Sequence, residues 1–214
     1  MSGLQLSALF LFLLNTVGLL LHSQLIPRGR IRAGMFCFYT NQSNLLLTVY
    51  ELLLFCAGFR PDGGLWAVLT DVRLSCAMTL CIWVTHLIYQ FVLVPCEKRK
   101  GLKFADFGGS FGNLCVHYIT PILAVAQWLI FAPKENLSLL CAVWWLALPL
   151  AYTAFALIRA AGGKPIGHTG LLYPYPFMDL KHLGWSKFLR NAAVLLTLFF
   201  LLGCVLVGLG FLIG

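Results

Sequence analysis

Charge is what this chain has least of. Asp and Glu number seven in 214 residues, and all four charged types together make up 10%. With 60% hydrophobic residues, that composition excludes a soluble domain of this length, which needs far more polar surface. Familiar cysteine patterns are missing too. Cys37, Cys56, Cys76, Cys81, Cys96, Cys115, Cys141 and Cys204 are scattered, mostly within apolar runs, and make no C-x-x-C pair. That excludes a zinc site and a disulfide framework, and leaves small apolar filling residues. No low-complexity linker divides residues 1–214, so one domain is expected. The first apolar run lacks a preceding charge and a persuasive small-residue cleavage site, so it reads as a retained span.

Six apolar segments stand out: about 4–25, 35–59, 74–95, 111–131, 137–158 and 191–213. Each is close to the roughly 20 residues that cross the hydrocarbon core as a helix. The fold class expected is all-α, a polytopic six-helix membrane bundle. The net charge of +8 is a topology signal rather than a sign of nucleic-acid binding. Twelve of the 15 basic residues lie in or beside the first, third and fifth connections; only Arg60, Arg73 and Lys134 fall on the other side. The positive-inside rule puts those connections in the cytoplasm of a cell-membrane protein, with both termini outside. Anionic headgroups are the natural partner of the basic side. The oligomeric state is not legible.

Polar residues inside the spans are costly and therefore candidates for function. "FCFYTNQSNLLLTVYELLLF", residues 36–55, begins with Thr40, Asn41, Gln42, Ser43 and Asn44. Thr40, Asn44 and Glu51 are spaced by four and seven and share one helix face. The third span adds His86, Tyr89 and Gln90. The fourth adds Asn113, His117 and Thr120, with Pro121 breaking its hydrogen-bond ladder. The fifth adds Tyr152 and Thr153. Helix rise places Thr40 about 7 Å, His117 about 9 Å and His86 about 13 Å from the cytoplasmic boundary. The long connection 159–190, with "YPYPF", lies over the same half. Its prolines favour extended or turning backbone, and its rings suit the interface.

A hydroxyl beside a neutral imidazole at matching depth can act as nucleophile and base. Thr40 would attack an ester carbonyl, and His117 would take its proton and return it to the leaving alcohol. Asn44 or Asn113 would offer an amide to the developing oxyanion, with Ser43 and His86 in support. Against this stand ordinary roles. A membrane-helix threonine usually bonds back to a carbonyl one turn away, and Asn commonly links helices. Two other readings stay open: a proton or solute path through Glu51, His86 and His117, and a haem held by His86 and His117.

"FYTNQSNLLLTVYELLL", "NLCVHYITPILAVAQWLIF" and "YPYPFMDL" together resemble a group of prokaryotic six-span membrane proteins. Those are distantly similar to the eukaryotic androgen-induced and androgen-dependent TFPI-regulating proteins, transmembrane threonine hydrolases of fatty acid esters of hydroxy fatty acids. The resemblance implies a lipid or fatty-acyl ester substrate and no metal or cofactor. Thr40 would be the nucleophile, His117 the second essential residue, and Tyr175, Pro176 and Phe177 the loop motif.

Overall fold

Apolar runs become helices here because hydrocarbon offers backbone groups no partner outside their own segment. The computed structural model describes residues 1–167 and 169–213, and among them every regular element is helical. Six long helices set the architecture: α1 (Gly3–His22), α2 (Tyr39–Ala57), α3 (Val72–Arg99), α4 (Phe111–Phe131), α5 (Cys141–Ala161) and α6 (Leu180–Ile213). Five of these are long and apolar enough to cross a bilayer; α2 is not among them. The six-span expectation is corrected on that point. Nineteen residues would reach about 29 Å, but Thr40 to Asn44, Thr48 and Glu51 dilute the apolarity of α2. The protein is an α-helical, multi-pass membrane bundle.

Helix ends follow local chemistry. Ser2 caps α1 by accepting from the Gln5 N–H at 3.1 Å. Asp71 caps α3 through the Arg73 N–H at 2.9 Å. Residues 35–37 form a separate single turn, so α2 begins at Tyr39 rather than near 35. The sixth apolar run is extended backward to Leu180, with a break at Gly184, whose φ of 70° and ψ of 166° are not helical.

Close approach of α1 to α4 depends on two glycines. A Cβ on Gly18 would lie 2.6 Å from the Cys115 Cβ, and one on Gly112 would lie 2.7 Å from the His22 backbone N. Small residues at such crossings let helix backbones touch. Leu4, Leu11, Leu47, Leu54 and Ile82 fill the core between α1, α2 and α3. Trp128 and Trp145 anchor a second core shared by α3 to α6. Tyr152, Tyr175, Met178 and Phe188 make a third, where the loop after α5 folds back. Large apolar side chains such as Leu201, Val205, Phe211 and Leu212 of α6 stay exposed, as a hydrocarbon solvent permits.

Two helices widen before a proline. In α3, the Val94 N–H bonds to the Tyr89 carbonyl five residues back, and Pro95 follows. In α4, the Thr120 N–H bonds to the Cys115 carbonyl five back, and Pro121 follows. Such wide turns cluster at functional sites. These two meet side by side in the bundle: Tyr89 stacks on His117 with centroids 3.7 Å apart, and the Tyr118 hydroxyl donates to Gln90 Oε1 at 2.7 Å.

Candidate active site

Thr40 lies in the first turn of α2, where it has no helical turn before it to absorb its hydroxyl. Six other helical threonines, Thr16, Thr48, Thr70, Thr79, Thr153 and Thr197, return theirs to the carbonyl four residues back. Thr40 makes no such bond, yet it is only 7% exposed. Its cover comes from the loop after α5. Tyr175 sits beside the Thr40 hydroxyl and against Tyr152. Burial raises the Tyr175 phenol above its ordinary value, so it stays protonated and able to donate.

Thr40 forms part of the wall of a cavity of about 90 Å³ between α3, α5 and α6. Apolar residues dominate the lining, among them Ile88, Leu93, Leu195, Leu196 and Phe199. Tyr175 and Phe177 stack with centroids 5.1 Å apart and planes 5° apart, and both line the space. Of the three threonines on this wall, Thr153 bonds back to the Pro149 carbonyl and Thr85 pairs with Ser43 at 2.8 Å. The Thr40 hydroxyl turns instead to the Tyr175 phenol. The cavity is thus mainly apolar, with a hydroxyl and phenols at one wall.

His117 sits behind that wall. Its ring is buried and stacks on Tyr89, which itself lines the cavity. The ring Nδ1 is 3.1 Å from the Asn113 carbonyl. A carbonyl only accepts, so Nδ1 carries the proton and Nε2 keeps the lone pair of a base. His22 approaches the same ring edge-on with centroids 5.7 Å apart. No direct hydrogen bond joins Thr40 to His117. Backbone links hold their segments together instead: Asn44 Nδ2 donates to the Thr40 carbonyl at 2.7 Å and to the Val116 carbonyl at 3.1 Å.

The supporting residues take roles different from those expected. Both amide protons of Asn44 serve carbonyls, and Asn113 Nδ2 donates to the Tyr89 hydroxyl at 2.8 Å and the Gly108 carbonyl at 3.1 Å. Neither asparagine has an amide proton left for a substrate oxygen. The Ser43 hydroxyl donates to the Thr40 carbonyl at 3.0 Å. His86 Nδ1–H donates to the His117 carbonyl at 2.8 Å. The reason lies in the wide turn: the ladder skips a carbonyl there and Pro121 offers no N–H, so the Val116 and His117 carbonyls need outside donors. Asn44 and His86 supply them.

Glu51 belongs to another place. It is 1% exposed and accepts from Gln127 Nε2 at 3.0 Å, and Gln127 reaches on to Ser7 Oγ at 3.1 Å. Glu51 lines a separate cavity of about 10 Å³. No hydrogen bond links it to His86 or His117 among the described residues.

Sequence reasoning passed over Tyr39 and left Tyr89 and Tyr152 without a role at the site. Tyr39 and Tyr152 meet edge-on with centroids 5.1 Å apart beside Thr40, and the Tyr152 hydroxyl donates to the Cys37 carbonyl at 2.9 Å. Their signal was present as two in-span tyrosines next to threonines, "YT" at 39–40 and at 152–153. Compared with known proteins, the chain matches no family model, no curated protein and no solved structure.

Proposed function

We propose that the protein is a membrane-embedded hydrolase, or related acyl-transfer enzyme, acting on a lipid ester. The observation that carries this reading is the unreturned, buried hydroxyl of Thr40 on an apolar cavity wall under an aromatic loop. Hydrocarbon-facing threonines ordinarily satisfy themselves on their own helix. One that does not, and that faces room for an acyl chain, has a group to offer a ligand.

In the proposed reaction the acyl chain lies among Leu195, Leu196 and Phe199, and its carbonyl carbon meets Thr40 Oγ1. The hydroxyl proton leaves to the free lone pair on His117 Nε2, through one bridging water or after Tyr89 shifts aside. The C–O bond to the alcohol then breaks, and the histidine returns the proton to the leaving oxygen. Water repeats the sequence on the acyl-threonine, releasing the fatty acid. The Tyr175 phenol, kept protonated, donates to the developing oxyanion. A cell-membrane location with the basic end cytoplasmic would put the ester near the inner headgroups.

The haem alternative would need His86, whose Nδ1–H now donates to the His117 carbonyl, to turn toward an iron; a Soret band in the purified protein tests it. A fluorophosphonate probe tests the hydrolase reading. Wild type and Thr40→Ser should label, Thr40→Ala should not, and His117→Ala should label at least tenfold more slowly. Equal labelling of Thr40→Ala and wild type would end the proposal.

A further inference from the structure

Away from Thr40, the cavity at Glu51 has polar walls that offer only acceptors. It holds about 10 Å³, the room of roughly one water. Tyr50, Glu51, Thr70, Ser75, Thr79 and Gln127 belong to its lining. Their protons are already committed elsewhere. Each hydroxyl donates to a carbonyl: Tyr50 to Leu69 at 2.8 Å, Thr70 to Trp66 at 2.8 Å, Ser75 to Val72 at 3.3 Å and Thr79 to Ser75 at 2.9 Å. Gln127 Nε2 serves Glu51 Oε2 and Ser7 Oγ, and the Trp128 indole N–H serves Ser75 Oγ at 3.2 Å. What these side chains keep for the cavity is lone pairs. Glu51 is 1% exposed, and its Oε1 accepts no hydrogen bond among the described residues. No base compensates its carboxyl, for none of the ion pairs among the described residues includes Glu51. Lys134 follows two lining residues, Ala132 and Pro133, but gives its ammonium to the Trp128 and Ala132 carbonyls at 2.5 and 2.6 Å.

We propose that this cavity is a binding site for one small monovalent cation, sodium by size, held by the Glu51 carboxylate with oxygens of Thr79, Ser75 and Gln127. A buried carboxylate without a counter-charge is costly, and a single cation removes that cost. Hard cations take oxygen ligands, which is all this lining presents. A transition metal does not fit, since no group of three His, Cys, Asp or Glu gathers among the described residues. One carboxylate in an apolar bundle balances one positive charge rather than two. Thr70 and Pro133 lie in the connections after α2 and α4, so an ion has its way in from the end away from the basic loops. Once bound, it links α2, α3 and α4 through Glu51, Thr79 and Gln127. The site is separate from the Thr40 cavity, and the inference does not rest on the hydrolase reading.

Radioactive sodium tests the site directly. Purified protein in detergent would be equilibrated with it in mildly alkaline buffer, where protons compete least, with protein-free micelles as background. Expected is retention of a single ion per chain, displaced by unlabelled sodium or lithium but not by choline. Glu51→Gln keeps the acceptor for Gln127 and removes the charge, so it should retain none. Thr79→Val removes one ligand oxygen and should bind about tenfold more weakly, while Thr79→Ser keeps the oxygen and should bind like wild type. Melting gives a second reading. In choline chloride, wild type and Glu51→Gln should melt alike; in sodium chloride of equal ionic strength only wild type should melt higher. No retention by wild type is the result if a proton or a water is all that meets Glu51, and it would overturn the proposal. Equal retention by wild type and Glu51→Gln would overturn it too, as would equal affinity of Thr79→Val and Thr79→Ser. If Thr79→Val does not fold, the comparison of wild type with Glu51→Gln decides alone.

Discussion

Replacing His86 by alanine should harm the protein chiefly because Pro121 cannot help. The His117 carbonyl is freed from its helix and accepts from His86 at 2.8 Å. Truncating His86 leaves that carbonyl without a donor in a buried residue, which costs about 1–3 kcal/mol. The edge-on contact of His86 with Tyr118, centroids 5.1 Å apart, is lost as well. Pro121→Ala restores an N–H four residues after His117, where an ordinary ladder would have used it. In that background His86→Ala should cost less, because the carbonyl can rejoin its own helix.

The expected result of the double-mutant cycle is therefore a coupling of about 1 kcal/mol between two residues that need not touch. The assay is unfolding in a fixed detergent, by heat or by SDS, following helical signal and the folded elution peak. A parallel cycle with Asn44→Ala reports on the Val116 carbonyl, the other group freed by the wide turn. If both cycles are additive within about 0.5 kcal/mol, the proline is not what creates the demand for these donors.

Three further outcomes follow from single contacts. Gly112→Ala should destabilise by about 1–3 kcal/mol, because its Cβ would press on the α1 backbone at His22; detergent melts against wild type measure it. Asp71→Ala should loosen the start of α3 by about 1 kcal/mol at neutral pH through loss of a cap. Hydrogen bonds from Arg73 hold the Asp71 carboxyl below its ordinary 3.8, at about 2. Its stabilisation is present above 3.8 and lost as pH falls through 2, so acid melts of wild type and variant should converge there. Glu51→Gln should match wild type in folding and in probe labelling, since it keeps an acceptor for Gln127. Glu51→Leu removes that acceptor, and should lower stability by about 1–3 kcal/mol without changing labelling.

Apolar runs were enough to read the helices, because hydrocarbon leaves a buried segment no other way to satisfy its backbone. They did not fix where α2 starts, since the turn at 35–37 and the helix after it share one composition. Pro121 could be read as a break. Which carbonyls it would free could not, because that depends on the wide turn beginning at Cys115, a feature without a simple sequence pattern. Thr40 and its neighbours were legible as a polar group in the wrong medium. Their division of labour was not, because only packing shows that the Asn44 and Asn113 amides are already engaged.

That division explains the polar stretch at 40–44. In a buried interior, each donor must find an acceptor or carry an energetic penalty. Asn44 and Ser43 answer carbonyls of Thr40 and Val116, and Asn15 answers the Asn44 carbonyl at 2.8 Å, so these residues hold α1, α2 and α4 together. A few oxygens stay unpaired, including the amide oxygens of Asn15 and Asn44, but neither residue lines the cavity at Thr40. At Tyr39 and Thr40 the two N–H groups and the hydroxyl turn to the Tyr175 phenol, so the loop after α5 closes the start of α2. Ser or Asp at position 38 would have supplied a local cap. Phe38 offers no such group, and the Tyr175 phenol, brought in by the loop after α5, stands in for the missing cap.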